Sequence, residues 1–257
     1  MVSKQILYRQ KSAERLDSLL VQHSASVDDG IRELVASELG EAAEAPDVRS
    51  LLDTARQVLR RRREELWSAS HALENQRAAE QARRHDVDEA AAALYEKVST
   101  LRTHLRGGFG FLRGTALAGL KGDTPREPMK LLHEAERMVK SFTRGDLELP
   151  PEKVRVSGPE DWARMIAPAK QVLRDAYLAY LRAKQETVAA QIVKDEAMAA
   201  FDDALYGIAG LTEFLGHLAG QQALTKWARP SRRSRGLLHE AARRRRRKRR
   251  RSGASAP

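Results

Sequence analysis

Nine consecutive basic residues near the C-terminus are the strongest chemical signal in this 257-residue chain. Arginine suits phosphate groups, because its planar guanidinium donates two parallel hydrogen bonds and is only weakly hydrated. We therefore predict that the run binds nucleic-acid phosphates without reading base sequence. The predicted contacts are Arg243, Arg244, Arg245, Arg246, Arg247, Lys248, Arg249, Arg250 and Arg251, with Arg229, Arg232, Arg233 and Arg235 as auxiliaries.

The same run also fits other polyanions. An anionic membrane surface attracts each arginine by about 1 kcal/mol, and an acidic protein offers a similar surface. A nuclear localisation signal has this composition too. A solvated tail without a partner is the remaining alternative. Trp227, at the start of the basic segment, either stacks on a base or packs against the body to anchor the tail, and packing is the commoner role of a lone tryptophan.

Few residues have the spacing that catalysis or metal binding needs. The chain has no cysteine, which excludes disulfides and thiolate chemistry. No Asp or Glu is followed three residues later by His, so the ligand pattern of di-iron bundles is absent. Glu213 and His217 are four residues apart, which is typical of an exposed contact. We predict a protein that is not an enzyme and has no cofactor or metal.

The positive charge is concentrated in one segment. Residues 226–257 contain 14 of the 46 Lys and Arg residues but only one of the 35 acidic residues, a net charge of +13. The other 32 basic and 34 acidic residues give residues 1–225 a net charge of −2. This asymmetry predicts a basic arm on a nearly neutral body. Because like charges repel, the arm is predicted to be disordered when free.

The body is predicted to be helical because helix breakers are absent from long stretches. Residues 47–106 and 169–206 contain neither Gly nor Pro. Apolar residues recur at helical spacing in both halves of the chain. We expect a bend or turn near Asp86 or Asp88, since Asp often caps a new helix. The N-terminal segment is predicted to form two shorter helices that end before Pro46. The apolar spacings are those of Leu94, Val98, Leu101 and Leu105, and of Met198, Phe201, Leu205, Ile208, Leu211, Leu215 and Leu218.

The body also contains two similar segments. The sequence ARQVLR at 55–60 matches AKQVLR at 169–174 in five of six positions. A Leu-Tyr pair follows each segment, after similar but unequal distances. This pattern predicts an internal duplication, in which each copy is a helical hairpin that buries its apolar face against the other.

Two stretches carry a family resemblance. The sequences GLKGDTPREPMKLLHEAERMV and LAGQQALTKWARPSRRSRG resemble uncharacterised bacterial all-helical proteins with a duplicated core, and the similarity covers about the second half of the chain. The resemblance implies an all-α fold and no particular activity.

These observations predict an all-α, elongated helical bundle of two related long helical hairpins with a disordered basic C-terminal tail. No apolar stretch is long enough for a signal peptide or a membrane span, so a cytoplasmic location is expected. The rival to nucleic-acid binding is an assembly or adaptor protein whose body binds a protein partner or itself as a homo-oligomer. The predicted ranges are 1–46 for the N-terminal helices, 47–123 for the first hairpin, 124–158 for a linker with a short helix, 159–225 for the second hairpin and 226–257 for the tail.

Overall fold

The described part of the chain is all-α, as predicted. The computed structural model describes residues 4–109, 123–143, 158–231 and 236–238. Within these residues there are five helices and no strand. The helices are α1 (Lys4–Leu39), α2 (Val48–Phe109), α3 (Pro128–Thr143), α4 (Pro159–Leu218) and α5 (Gln222–Ala228).

The N-terminal segment forms one helix, so the prediction of two shorter helices is wrong. α1 runs for 36 residues, and buried residues recur along it from Ile6 to Ile31 without a break in the helix. Ser26 lies between the two segments that were expected to form separate helices, and it stays helical while donating its hydroxyl to the carbonyl of His23 at 3.1 Å. The helix ends at Leu39, and the next residue, Gly40, has a φ of +93° that suits glycine and donates its N–H to the carbonyl of Ala36. The buried residues on that face include Leu16, Leu20, Val27 and Ile31.

The two breaker-poor stretches each form a single helix within the described residues. The expected turn near Asp86 is wrong, because α2 continues through it for 62 residues. Asp86 does not cap a helix but accepts a hydrogen bond from Arg83 at 3.1 Å on the helix surface. The next residue, Val87, is buried, so the apolar face of the helix continues past Asp86. The second stretch likewise lies within α4, which is 60 residues long.

The chain divides into two compact units, and the first is Met1–Glu74 with Ala189–Pro257. Its core joins α1, the first part of α2, the last part of α4, and α5. At Gly30, α1 lies close to Ala219, the residue that follows α4. A Cβ at Gly30 would be 2.9 Å from the Cβ of Ala219, so only glycine allows this approach. The most deeply buried residues include Leu16, Leu20, Leu52, Leu59, Phe201, Leu205 and Leu224.

The second unit, Asn75–Val188, has its own core. It joins the later part of α2, all of α3 and the first part of α4. α3 occupies the position of the short helix predicted for the linker, and it buries one apolar face there. The core residues include Leu94, Val98, Leu101, Leu105, Leu131, Met138, Phe142, Trp162, Ile166 and Leu173.

The two similar segments have the same burial pattern. Ala55 and Leu59 are buried in the first unit, as Ala169 and Leu173 are in the second. A common origin of the two segments stays a prediction.

A buried ion pair links α2 and α3 in the second unit. The side chains of Arg102 and Glu134 are each 6% exposed, with Nη2 of Arg102 lying 3.3 Å from Oε1 of Glu134. Arg102 also donates from Nη1 to the hydroxyl of Thr124 at 2.7 Å. Burial raises the pKa of Glu134 and lowers the pKa of Arg102, because it disfavours the charged form of both groups. Among the described residues, none donates a well-aligned hydrogen bond to Oε1 of Glu134.

Asp17 joins α1 to α2 through two arginines in the first unit. Arg56 and Arg60 each donate to its carboxylate at 3.0 Å. Burial alone would raise the pKa of Asp17, but the hydrogen bonds and charges of the two arginines outweigh it and hold the pKa below its ordinary value of 3.8.

Asp17→Asn is expected to remove a part of the stability that depends on pH. Because the folded-state pKa is lowered, this stability is present above about pH 4 and is lost as the pH falls through the folded value. Because the ion pairs of Asp17 with Arg56 and Arg60 are partly exposed, the substitution should lower the free energy of unfolding at pH 7 by roughly 0.5–1 kcal/mol. Urea unfolding of both chains should show this gap at neutral pH and a smaller gap in acid. Asp88→Asn, at an exposed site, is the control, and an equal gap at both pH values would contradict the prediction.

Candidate nucleic-acid interface

The basic segment begins with a short ordered structure, which we call the arm root and define as residues 229–231 and 236–238. α5 ends at Ala228, and the chain then turns so that Pro230 and Leu238 form an antiparallel bridge. The N–H of Ser231 donates to the carbonyl of Leu237 at 3.0 Å. Backbone pairing therefore holds the two segments of the arm root together.

Leu238 anchors the arm root in the core of the first unit. Leu238 is only 1% exposed and belongs to the same apolar cluster as Leu16 and Leu20 of α1. Ser231 is buried as well. The prediction that disorder begins at residue 226 is thus wrong for residues 226–231 and 236–238. The physical reason is that burying the apolar side chain of Leu238 stabilises this part of the chain, whereas the argument from charge repulsion considered only the basic residues.

A buried ion pair fixes the position of the arm root. Arg9 of α1 donates to both carboxylate oxygens of Asp202 on α4, at 2.6 and 2.7 Å. Gly236 lies directly against this pair with a φ of +73°, and a Cβ at Gly236 would overlap the carboxylate of Asp202. Only glycine satisfies both the backbone angle and the space available.

Trp227 also contacts α1. The guanidinium of Arg15 lies 4.2 Å from the centre of the indole ring, a cation–π geometry. The indole is 37% exposed. This arrangement agrees with the packing role expected for a lone tryptophan, because a ring face that holds Arg15 is not open to a base.

Among the predicted contact residues, the structure places one. Arg229 is the residue after α5, and its side chain is well exposed. Its guanidinium lies 3.4 Å from the carboxylate of Glu213. A phosphate at Arg229 would therefore compete with an existing partner. The other predicted contacts lie outside the described residues: Arg232, Arg233, Arg235, Arg243, Arg244, Arg245, Arg246, Arg247, Lys248, Arg249, Arg250 and Arg251.

A second basic cluster consists of four consecutive arginines in α2, residues 60–63, and most of them pair with acidic residues. Arg60 bonds to Asp17 rather than to a residue one turn away. Arg61 and Arg62 both pair with Glu65, at 2.9 and 2.7 Å. These hydrogen bonds lower the pKa of Glu65. The cluster is mainly a network of surface ion pairs, and it has less charge to offer an external anion than its sequence indicates.

Other candidate groups show no convergent chemistry. Glu213 faces Arg229, while His217 is exposed one turn later. In residues 4–109, 123–143, 158–231 and 236–238, no three His, Asp or Glu side chains are close enough to hold a metal ion. In the adjacent carboxylate pairs at 28–29 and 202–203, one member of each is already bonded to an arginine: Asp28 to Arg32, and Asp202 to Arg9.

Sequence reasoning missed the residues that hold the arm root. Arg9 and Asp202 are 193 residues apart, and nothing in their local sequence indicates that they meet. Gly236 and Leu238 had a visible signal, since a glycine followed by two leucines interrupts an otherwise polar, basic segment. That short apolar pair predicts contact with a core.

The fold and the arm root together define an all-α helical bundle with a basic C-terminal segment anchored in its core. Comparison with protein-family models, with curated proteins and with solved structures finds no match. None of the helices in the described residues has an apolar stretch long enough to cross a bilayer.

Proposed function

We propose that the protein is a non-enzymatic helical scaffold that binds nucleic-acid phosphates through the basic run 243–251, without base specificity. The observation that carries this proposal is the placement of nine consecutive basic residues just after an anchored point of the fold. Leu238 is fixed in the core, and the run begins five residues later. Five residues span at most about 18 Å, so the bundle holds the start of the run near its surface.

The charge distribution supports the same proposal. The nearly neutral body offers little net attraction to a polyanion, so the arm supplies most of the electrostatic driving force. About nine phosphate contacts would release condensed counterions and give log K a slope near −8 against log[salt] on duplex DNA. Such binding is strong in dilute buffer and weak at high salt.

The test is a truncation placed after the arm root. A chain that ends at Leu238 keeps the buried leucine and loses all nine basic residues of the run. We expect this chain to unfold like the intact protein but to bind labelled duplex and single-stranded DNA and RNA at least 100-fold more weakly at low salt, with a much shallower salt slope. Fluorescence anisotropy at several salt concentrations measures both quantities.

Two controls sharpen the test. A variant with all eight arginines of the run changed to lysine keeps the charge and should keep most of the salt slope. Scrambled probe sequences of equal length should bind alike, because phosphate contacts carry no base information. Unchanged binding by the truncated chain, or no binding by the intact chain in dilute buffer, would refute the proposal.

A second candidate function rests on exposed apolar residues of α4. Leu178, Leu181 and Val188 are 44%, 37% and 55% exposed, and their spacing places them on one side of the helix. This surface suits self-assembly or an adaptor role, with the arm directing the protein to anionic lipid or an acidic protein. If the intact chain ignores nucleic acid but sediments with anionic vesicles, this second function replaces the first.

A further inference from the structure

A cleft in the first unit, separate from the arm root, has the features of a small-molecule site. It lies between α1 and α2, and Phe201 of α4 forms part of its wall. Its volume is about 300 Å³, at the lower end of the range for ligand pockets. Ile6, Leu66 and Phe201 are buried apolar residues that line it, and the indole of Trp67 is 38% exposed.

Three charged side chains line the same cleft. Arg63 and Glu64 come from α2, and Glu14 comes from α1. The preceding arginines, Arg61 and Arg62, both pair with Glu65. In contrast, no described residue forms an ion pair or a side-chain hydrogen bond with the charged groups of Arg63, Glu14 or Glu64. The cleft therefore offers one positive and two negative groups around an apolar interior.

We propose that this cleft binds a free amino acid with a large apolar side chain. The apolar side chain would occupy the space beside Trp67 and Phe201. The α-carboxylate would pair with Arg63, and the α-ammonium would pair with Glu14 or Glu64. A zwitterion fits this charge pattern best, because it pairs with Arg63 and with one acid at once, whereas a carboxylate alone leaves both acids unmatched and an amine alone leaves Arg63 unmatched.

Three ligands with one phenyl group test the charge pattern. Phenylalanine has both charges, 3-phenylpropanoate has only the carboxylate, and phenethylamine has only the ammonium group. Titration calorimetry, with tryptophan fluorescence as a second signal from Trp67, measures each affinity. We expect phenylalanine to bind at least tenfold more tightly than either analogue. Equal or tighter binding of an analogue, or no binding of phenylalanine, would overturn the proposal.

Matched arginine variants locate the binding. Arg63→Gln should weaken phenylalanine at least tenfold while leaving phenethylamine within about twofold. Arg61→Gln is the control, because Arg61 lies in the same helix turn but is 78% exposed and already paired with Glu65. Equal effects of the two variants would refute the assignment, and urea unfolding checks that both fold.

This site is independent of the proposed nucleic-acid function. The chain that ends at Leu238 keeps every residue lining the cleft, so it should bind phenylalanine as the intact protein does. Loss of DNA binding with retained phenylalanine binding supports both proposals. Retained DNA binding with no phenylalanine binding refutes both. The mixed results identify which of the two has failed.

Discussion

Glu134→Ala is expected to lower the free energy of unfolding by about 3–5 kcal/mol. The substitution leaves the guanidinium of Arg102 in the core of the second unit without the opposite charge that lies 3.3 Å away. The bond from Arg102 to Thr124 remains, but a neutral hydroxyl does not replace a carboxylate. Urea unfolding, followed by far-ultraviolet circular dichroism, measures the loss.

Two further variants separate the buried charge from the loss of side-chain atoms. Replacing both partners, as Arg102→Met with Glu134→Leu, should recover most of the stability, because a well-packed apolar pair often equals or exceeds a buried ion pair. Glu136→Ala, at an exposed position of the same helix, should change stability by less than about 0.5 kcal/mol. The explanation is wrong if the double variant is as unstable as the single one.

Gly236→Ala is expected to destabilise the first unit by roughly 2–4 kcal/mol, from the cost of left-handed backbone and from damage to a buried ion pair. Gly236 has a φ of +73°, and a Cβ there would overlap the carboxylate of Asp202. Asp202 could yield only by weakening its two hydrogen bonds from Arg9. Urea unfolding measures the stability, and amide exchange at Leu237 and Leu238 reports on the arm root itself.

Gly220→Ala is the matched control for this prediction. Gly220 has a similar φ of +66°, but nothing lies within 4 Å of the position that a Cβ would take. Its substitution should cost only the backbone strain, about 1–2 kcal/mol. Equal losses for the two variants would show that the contact with Asp202 contributes nothing. Because Gly236→Ala changes no charge, the salt slope of nucleic-acid binding should stay the same.

The helical core was largely predictable from residue spacing. Leu94, Val98, Leu101 and Leu105 recur at helical intervals, and all four are buried in the second unit. This works because a single helix face requires only local periodicity. Helix continuity was less predictable. Aspartate is a typical helix cap, but in this structure Asp86 forms a surface ion pair in the middle of a helix. The local sequence does not show whether an aspartate caps a helix or pairs with a neighbour inside one.

The long-range contacts were not predictable from the chain. Leu238 belongs to the same core as residues of α1 that are more than 200 positions away, and an apolar pair within a basic segment gives no indication of which core it joins. The pairing of Arg102 with Glu134 was not predictable either, because a charged residue in a helix is ordinarily at the surface and gives no sign that it is buried. Tertiary packing decides both cases.

The placement of Leu238 has a consequence for biosynthesis. The core of the second unit comes from one uninterrupted stretch, residues 87–173, and can form as soon as that stretch leaves the ribosome. The core of the first unit instead combines residues 13–66 with 201–238, so it cannot close until the later segment has also been made. The second unit can therefore fold during synthesis while the apolar face of α1 still lacks its partners from α4 and α5.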